Sequence, residues 1–168
     1  NEKLQKINGI AASSKILEDR VLFMFDGKEI VTYLKGVDAS YGKVNDVKKT
    51  IFQGDWLEPN TTQVVVGYGI SQKLSLGLFD FNNPFEVFVP RPGKGAIENP
   101  EQAFNKTTIA PIGIYAISED LDSKYVYADL GLTQNLLEYK SNQISAIELK
   151  LKPNSDEEII IKELQSIF

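Results

Sequence analysis

The chain has no cysteine and no histidine among its 168 residues. Without cysteine it has no disulfide, no thiolate nucleophile and no thiolate metal site, a composition that suits an oxidising or envelope compartment. Without histidine it lacks the usual general base and the commonest metal ligand, so a Ser-His-Asp or Cys-His centre cannot be assembled within it. A cationic surplus is also missing: 18 Lys and Arg stand against 23 Asp and Glu, for a net charge of −5. That excludes a nucleic-acid backbone as the natural partner, since phosphate binding needs clustered bases. The small pairs Lys48-Lys49 and Lys150/Lys152 read as a solvated helix face and an edge strand. No run of about 18 apolar residues occurs, so no segment reads as a membrane-spanning helix. The amino end, Asn1-Glu2-Lys3-Leu4-Gln5-Lys6, has neither an initiator Met nor the apolar centre of a signal peptide; a processed or excised piece is expected.

What is present is an ordinary core-forming composition, 42% apolar and 24% charged, enough for one domain or one domain with an inserted lobe. Leu4 and Ile7 predict a short helical turn, followed by strands over 10–17 and 21–25. Asp26-Gly27 predicts a tight hairpin, because both residues tolerate positive φ, and 29–37 is the returning strand. Val44, Val47 and Ile51 recur at helical spacing, predicting an amphipathic helix over 43–52 that stops at Gly54. Further strands are expected at 63–67, 85–89, 109–117, 125–127 and 143–151, with helices after 67 through Leu76 and over 130–139. Pro153 ends the last strand, and Ser155-Asp156-Glu157-Glu158 reads as a capping box for a terminal helix with Ile159, Ile160, Leu164 and Ile167 on one face. The fold class is α+β, with helix and strand at both ends and a strand-rich middle.

Several patterns that carry chemistry elsewhere do not carry it here. Val64-Val65-Val66-Gly67-Tyr68-Gly69 has the start of a dinucleotide-binding turn, but position 72 is Gln and no partner acid follows; Gly67 and Gly69 are expected to permit a tight strand-to-helix turn. Glu119, Asp120 and Asp122 offer carboxylates for calcium or acid–base work, but without the glycine and distal acid of a calcium loop; a solvated turn is expected. Trp56 is expected in core packing or at a seam between lobes. The segment 90–107, with three prolines and two glycines, is the longest irregular stretch, and loops of that length tend to be functional. It is the candidate binding element: Pro90, Arg91, Pro92 and Lys94 open it, Ile97 and Phe104 are apolar anchors, and Arg91 and Lys94 suit an acidic rim on a partner.

Tyr33-Leu34-Lys35-Gly36-Val37-Asp38, then Ile51-Phe52-Gln53-Gly54-Asp55-Trp56, then Val64-Val65-Val66-Gly67-Tyr68-Gly69-Ile70 through Leu76 form an ordered series. Phe85-Glu86-Val87-Phe88-Val89-Pro90, Ile109 to Tyr115, Asp120 to Tyr127, Gly131 to Leu137 and Gln143 to Leu151 continue it. In order and spacing, over about residues 7–168, this resembles the extracytoplasmic domain of ABC-transporter permeases of the MacB/LolC/LolE/FtsX type, most closely the lipoprotein-releasing members. The chain departs from that pattern where Leu78 and Phe79 separate Gly77 from Asp80, residues the family usually has together. The resemblance implies a small porter-like αβ lobe from 1–17 and 143–168, its flanking strands outside this chain, and an inserted β-rich, Sabre-like lobe from 18–142. It implies a non-catalytic module without a cofactor, on the periplasmic face of the bacterial inner membrane, attached only through flanking helices. ATP hydrolysis on a cytoplasmic subunit would be coupled through a second permease subunit to transfer of a lipoprotein, with the 90–107 hairpin hooking a soluble carrier. Family alternatives act on a cell-wall hydrolase, an adaptor or a small amphiphile.

Two readings outside the family remain. A carboxylate-dependent hydrolase would need Asp120 paired with a second acid. A stand-alone secreted binding domain predicts a concave aromatic-lined cleft, whereas the aromatic residues are expected to be scattered along the strands.

Overall fold

The computed structural model describes residues 2–91 and 103–168. A short helix α1 (Glu2–Gln5) leads into β1 (Ile10–Phe25), and β2 (Lys28–Val37) returns beside it. The turn between them is the expected one, with Asp26 and Gly27 both at positive φ (48° and 76°), the backbone that matches the twist of a two-residue hairpin. Next come α2 (Tyr41–Val44), a 3-10 turn over Val47–Thr50, β3 (Ile51–Gly54), β4 (Gln63–Gly67) and α3 (Tyr68–Leu74). The chain continues through β5 (Phe85–Pro90), β6 (Phe104–Tyr115), α4 (Glu119–Asp122), β7 (Tyr125–Asp129), α5 (Leu130–Leu136), β8 (Ala146–Leu151) and α6 (Glu157–Ile167). The class is α+β, as the sequence predicts.

The strands form one eight-stranded sheet in the order β2-β7-β4-β6-β5-β1-β8, with β3 also on β6. Because β2 pairs with β1 as well as β7, six of the strands close on themselves as a small barrel. Closure removes exposed edges. The β2–β7 and β4–β6 pairs are parallel and the remainder antiparallel. The barrel interior holds Val21, Phe23, Phe25, Leu34, Val64, Val66, Phe85, Val87 and Val126, closed by Ile70 and Leu74 of α3 and Leu136 of α5. A second cluster, on the far face of β2, β4 and β7, contains Val37, Tyr41, Val65, Tyr115 and Tyr127. A third consists of residues near the two chain ends: Leu4, Ile7 and Ile160, with Ile10, Ile147, Leu151, Leu164 and Ile167 against them.

Four expectations need correction. The strands at 10–17 and 21–25 are one strand: the polar run Glu18-Asp19-Arg20 stays extended because it pairs with Lys35, Leu34 and Tyr33. The helix over 43–52 is absent. Its β-branched residues are distributed instead over a helical turn, a 3-10 turn and β3, and Ile51 pairs with Tyr115 of β6. β-Branched side chains favour the pleated surface when a partner strand is available. The helices after β4 and β7 are shorter than predicted, α3 ending where Ser75 turns left-handed at φ 52°. At α6 the cap is Asp156, whose carboxylate accepts from the Glu158 and Ile159 amides at 3.0 and 3.3 Å. Ser155 lies one residue too early, its hydroxyl donating to the Lys152 carbonyl at 2.7 Å.

Candidate functional site

The 90–107 segment is less irregular than predicted. β5 runs to Pro90 and β6 begins at Phe104, with Pro90 opposite Phe104 and Val89 opposite Asn105. Pairing satisfies the backbone that a loop would leave to water. Pro90 and Arg91 are exposed, and Phe104 is 40% exposed. The Arg91 amide donates to the Ala103 carbonyl at 2.8 Å, and its Nε donates to Asn105 Oδ1 at 3.0 Å. Asn105 donates in turn to the Leu136 carbonyl at 2.9 Å, tying the hairpin base to the end of α5. Pro92, Lys94 and Ile97 lie outside the described residues. Of the six predicted site residues, Pro90, Arg91 and Phe104 therefore share one hairpin base.

The motif around Gly36-Val37-Asp38 holds the framework. The Asp38 carboxylate accepts from Ser14 Oγ at 2.7 Å and from the Lys15 and Ser40 amides at 2.9 and 3.0 Å, clamping the first half of β1 to the end of β2. At Gly67 the backbone is ordinary, with φ −67°. A β-carbon there would lie 2.1 Å from the Asp122 carbonyl oxygen. Glycine is needed because α4 approaches closely, and the tight turn itself does not require it. Asp122 is buried, its carboxylate accepting from the Ile117 and Ser118 amides at 2.7 and 3.3 Å, while Glu119 and Asp120 face solvent.

Sequence reasoning missed the charge at the centre of the second cluster. Lys35 is buried in β2, and its Nζ lies 2.7 Å from Glu148 Oε1 of β8. It also lies 4.9 Å from the ring centre of Tyr125, with Tyr41 and Tyr127 at 5.6 and 5.9 Å. Burial pushes the ammonium pKa down, but the hydrogen bond and charge of Glu148 outweigh it, so the pKa stands above its ordinary value. Asn45 donates to the other Glu148 oxygen. Burial raises the phenol pKa of Tyr41 and Tyr115 far above the usual tyrosine range, and that of Tyr127 in the same direction. The signal was in the sequence: Tyr33, Lys35 and Val37 alternate onto one strand face, and a lysine between them is out of place without a partner.

A cleft of about 760 Å³ opens where β6 changes partners. β5 pairs with it up to Ile109 and β3 from Gly113, leaving Ala110-Pro111-Ile112 between. Trp56, Phe79 and Phe81 line the cleft over the buried Phe25 and Phe85, so although most aromatics lie along the strands as expected, a group of them gathers here. Strand breaks and loops far apart in the chain meet there, which no local pattern reports. Trp56 also stacks on Tyr41, 6.0 Å between ring centres, which gives it the expected packing role as well. Leu78 and Phe79, which interrupt the Gly-Asp pair, form part of the rim: Leu78 is buried against Gly54, whereas Phe79 is 73% and Phe81 90% exposed.

No protein-family profile matches the chain, and no curated protein sequence matches it either. Solved structures do. The periplasmic region of MacB from Actinobacillus actinomycetemcomitans matches 99% of this chain and 69% of its own at TM-score 0.66 and 18% identity. The extracellular domain of the noncanonic ABC-type transporter YknZ from Gram-positive bacteria matches over 96% and 74%, at TM-score 0.64 and 11% identity. A domain of a putative permease protein from Porphyromonas gingivalis matches over 99% and 67%, at TM-score 0.58 and 13% identity. The chain has the fold of these domains. Among the described residues no helix is long and apolar enough to cross a membrane.

Proposed function

We propose that this chain is a non-catalytic extracytoplasmic domain of an ABC-transporter permease, at the periplasmic face of a bacterial inner membrane. The observation that carries the reading is likeness over nearly the whole chain to two extracytoplasmic transporter domains and a permease domain. Its work is transmission: a cytoplasmic ATPase subunit and a second permease subunit move flanking membrane helices, and this domain carries the motion outward. Residues 1–17 with 143–168 act as the lobe nearest those helices, and 18–142 as the lobe that meets the cargo or its acceptor. In the finer reading the cargo is a lipoprotein, and the β5–β6 hairpin, through Arg91, Phe104 and the residues between them, holds a soluble carrier or adaptor.

Sequencing the coding DNA on both sides of this chain tests the first part. About 20 apolar residues should lie just upstream, with further such spans downstream. A cleavable signal peptide upstream and a stop codon directly after Phe168 would sink it. For the finer reading, the full-length permease with residues 91–103 replaced by a two-residue turn should lose its carrier in a pull-down while keeping its ATPase partner. Unchanged carrier recovery removes the hairpin from that role.

A further inference from the structure

We propose that the cleft between β3, β5 and the 75–84 loop is a docking site for a basic, apolar-anchored segment of a partner polypeptide. This stands on the cleft's own chemistry and does not depend on the transporter reading.

The walls combine two features that are rarely both left open. One is aromatic and apolar surface: Phe79, Phe81, Trp56 and Pro111, over a floor formed by the buried Phe25 and Phe85. The other is charge of a single sign. Asp55, Glu58 and Asp80 line the cleft, and no lysine or arginine does so among the described residues. At about 760 Å³ the volume lies within the roughly 300–1,000 Å³ of ordinary ligand clefts. A cation with an apolar neighbour is the chemistry that satisfies both walls.

The rim is built to hold its shape. Leu78 packs against Gly54, where any β-carbon would lie 2.0 Å from the Ile112 carbonyl oxygen. The Asp80 carboxylate accepts from the Asn82 and Asn83 amides at 3.1 and 3.3 Å and from Asn83 Nδ2 at 3.1 Å. Lys28 Nζ donates to Ser75 Oγ at 2.6 Å, fastening the loop's start to the hairpin tip. Phe79 sits at φ 71°, where a bulky residue is a genuine outlier. The loop thus accepts a backbone cost and leaves two phenylalanines in water. Isolated exposed apolar residues are ordinary, but two on one braced loop beside an aromatic cleft form a contiguous patch.

A polypeptide suits the site better than a small molecule. Phe79 and Phe81 project from the rim and would stay wet over a ligand confined to the cleft, whereas an extended segment entering it covers them on the way. A second copy of this chain is disfavoured by its net charge of −5.

The test is anisotropy of fluorescein-labelled hexapeptides at low salt, with the emission of Trp56, the chain's single tryptophan, as the reporter of location. An alternating Arg-Phe peptide should bind saturably at roughly 10–100 μM and shift Trp56 emission. Glu-Phe and Arg-Ser peptides, and dodecyltrimethylammonium below its micelle concentration, should bind at least about tenfold more weakly. Asp55→Asn with Glu58→Gln should weaken the Arg-Phe peptide about fivefold and flatten its salt dependence, and Phe79→Asn with Phe81→Ser about tenfold. These side chains are exposed, so unfolding should not confuse the result, and a urea midpoint checks it. Phe168→Ser, equally exposed elsewhere, should change nothing. No saturable binding, binding without a Trp56 response, equal binding of the Glu-Phe peptide, or retained affinity in either double variant overturns the proposal. Tighter binding of the detergent cation would replace it with a small-amphiphile site. Self-association abolished by Phe79→Asn with Phe81→Ser would replace it with a dimer contact.

Discussion

Lys35 and Glu148 are unequal partners, because the lysine side chain is 9% exposed and the glutamate 31%. Removing the glutamate charge strands a cation among tyrosines; removing the lysine leaves a carboxylate that water still reaches. Loss of one partner of a fully buried pair costs roughly 3–5 kcal/mol, and partial exposure here brings the expected cost of Glu148→Gln down to about 1–2 kcal/mol. Lys35→Met should cost less than about 1 kcal/mol, and the double variant should be no worse than Glu148→Gln alone. Urea midpoints at constant m-value decide it, and equal costs for both single variants would contradict the asymmetry. The neighbouring phenols give a pH dependence. Tyr41 and Tyr115 keep their protons in the folded chain to well above the usual range, and the Tyr127 pKa is raised too, in each case chiefly because the phenol is buried. The unfolded chain releases them near pH 10, so above that pH it binds fewer protons and stability falls as pH rises. The loss is roughly 1.4 kcal/mol each for Tyr41 and Tyr115 at pH 11, about 3 kcal/mol together, and Tyr127 adds to it in the same direction. Lys35 acts in the same direction: its raised pKa stabilises fully below about pH 10.4 and ceases to do so as pH climbs through the folded value. Urea midpoints at pH 8, 10 and 11 should drop in that order, and a flat profile would mean these phenols ionise freely in the folded state. None of this was named from the sequence, although the alternation of Tyr33, Lys35 and Val37 marks the lysine as facing a covered side. Its partner lies 113 positions away, and nothing local identifies Glu148.

At the scale of elements, legibility followed the range of the forces. The hairpin at Asp26-Gly27 was readable because its determinant is the positive φ of two adjacent residues. The strands at 63–67 and 85–90 were readable as apolar runs between breakers. The 43–54 segment was misread because its β-branched residues sit equally well in a turn and in a strand, and the choice was made by Tyr115 and Gly113 of β6. The cleft was invisible, since its walls come from four separate stretches of chain. Two glycines separate the local from the tertiary kind of constraint. Gly27 has φ 76° and open space around it, so Gly27→Ala should cost only backbone strain, about 1–2 kcal/mol. Gly67 has ordinary φ but meets the Asp122 carbonyl, so Gly67→Ala must displace α4 and should cost more, roughly 2–4 kcal/mol. It should also release the Asp122 carboxylate from the Ile117 and Ser118 amides, visible as faster hydrogen exchange there. Thermal midpoints rank the two; the reverse order would mean α4 yields easily.

Across the whole molecule, the first half of β1 with β8, α1 and α6 forms a terminal layer with its own apolar cluster, and the rest is a closed barrel. Among the described residues continuous strand crosses between them only in β1, whose residues from Ile10 to Ile16 pair with β8 and from Ile16 to Phe25 with β2. Side-chain ties across the same divide among the described residues include the Asp38 bonds to Ser14 and Lys15, the Lys35–Glu148 pair, the Asn45–Glu148 bond and the Ser145 bonds to the Glu18 backbone. Under the proposed transmitting role, the Lys35–Glu148 pair is a candidate strut between the two parts, since it joins β2 of the barrel to β8. The readability of the ends fits this division: α6 was predicted from local signals, with Ile160, Leu164 and Ile167 on its apolar face as expected but Ile159 in solvent, and its packing on Leu4 and Ile7 at the opposite end of the chain was not predicted. If the charge pair is the strut, the double variant Lys35→Met with Glu148→Gln should loosen the terminal layer without loosening the barrel. Amide exchange in β8 and α6 should then quicken about tenfold under native conditions, while β4 and β7 keep their protection. Uniform quickening would mean the pair stabilises the fold as a whole, and unchanged exchange would leave β1, the Asp38 clamp and the Ser145 bonds to couple the two layers.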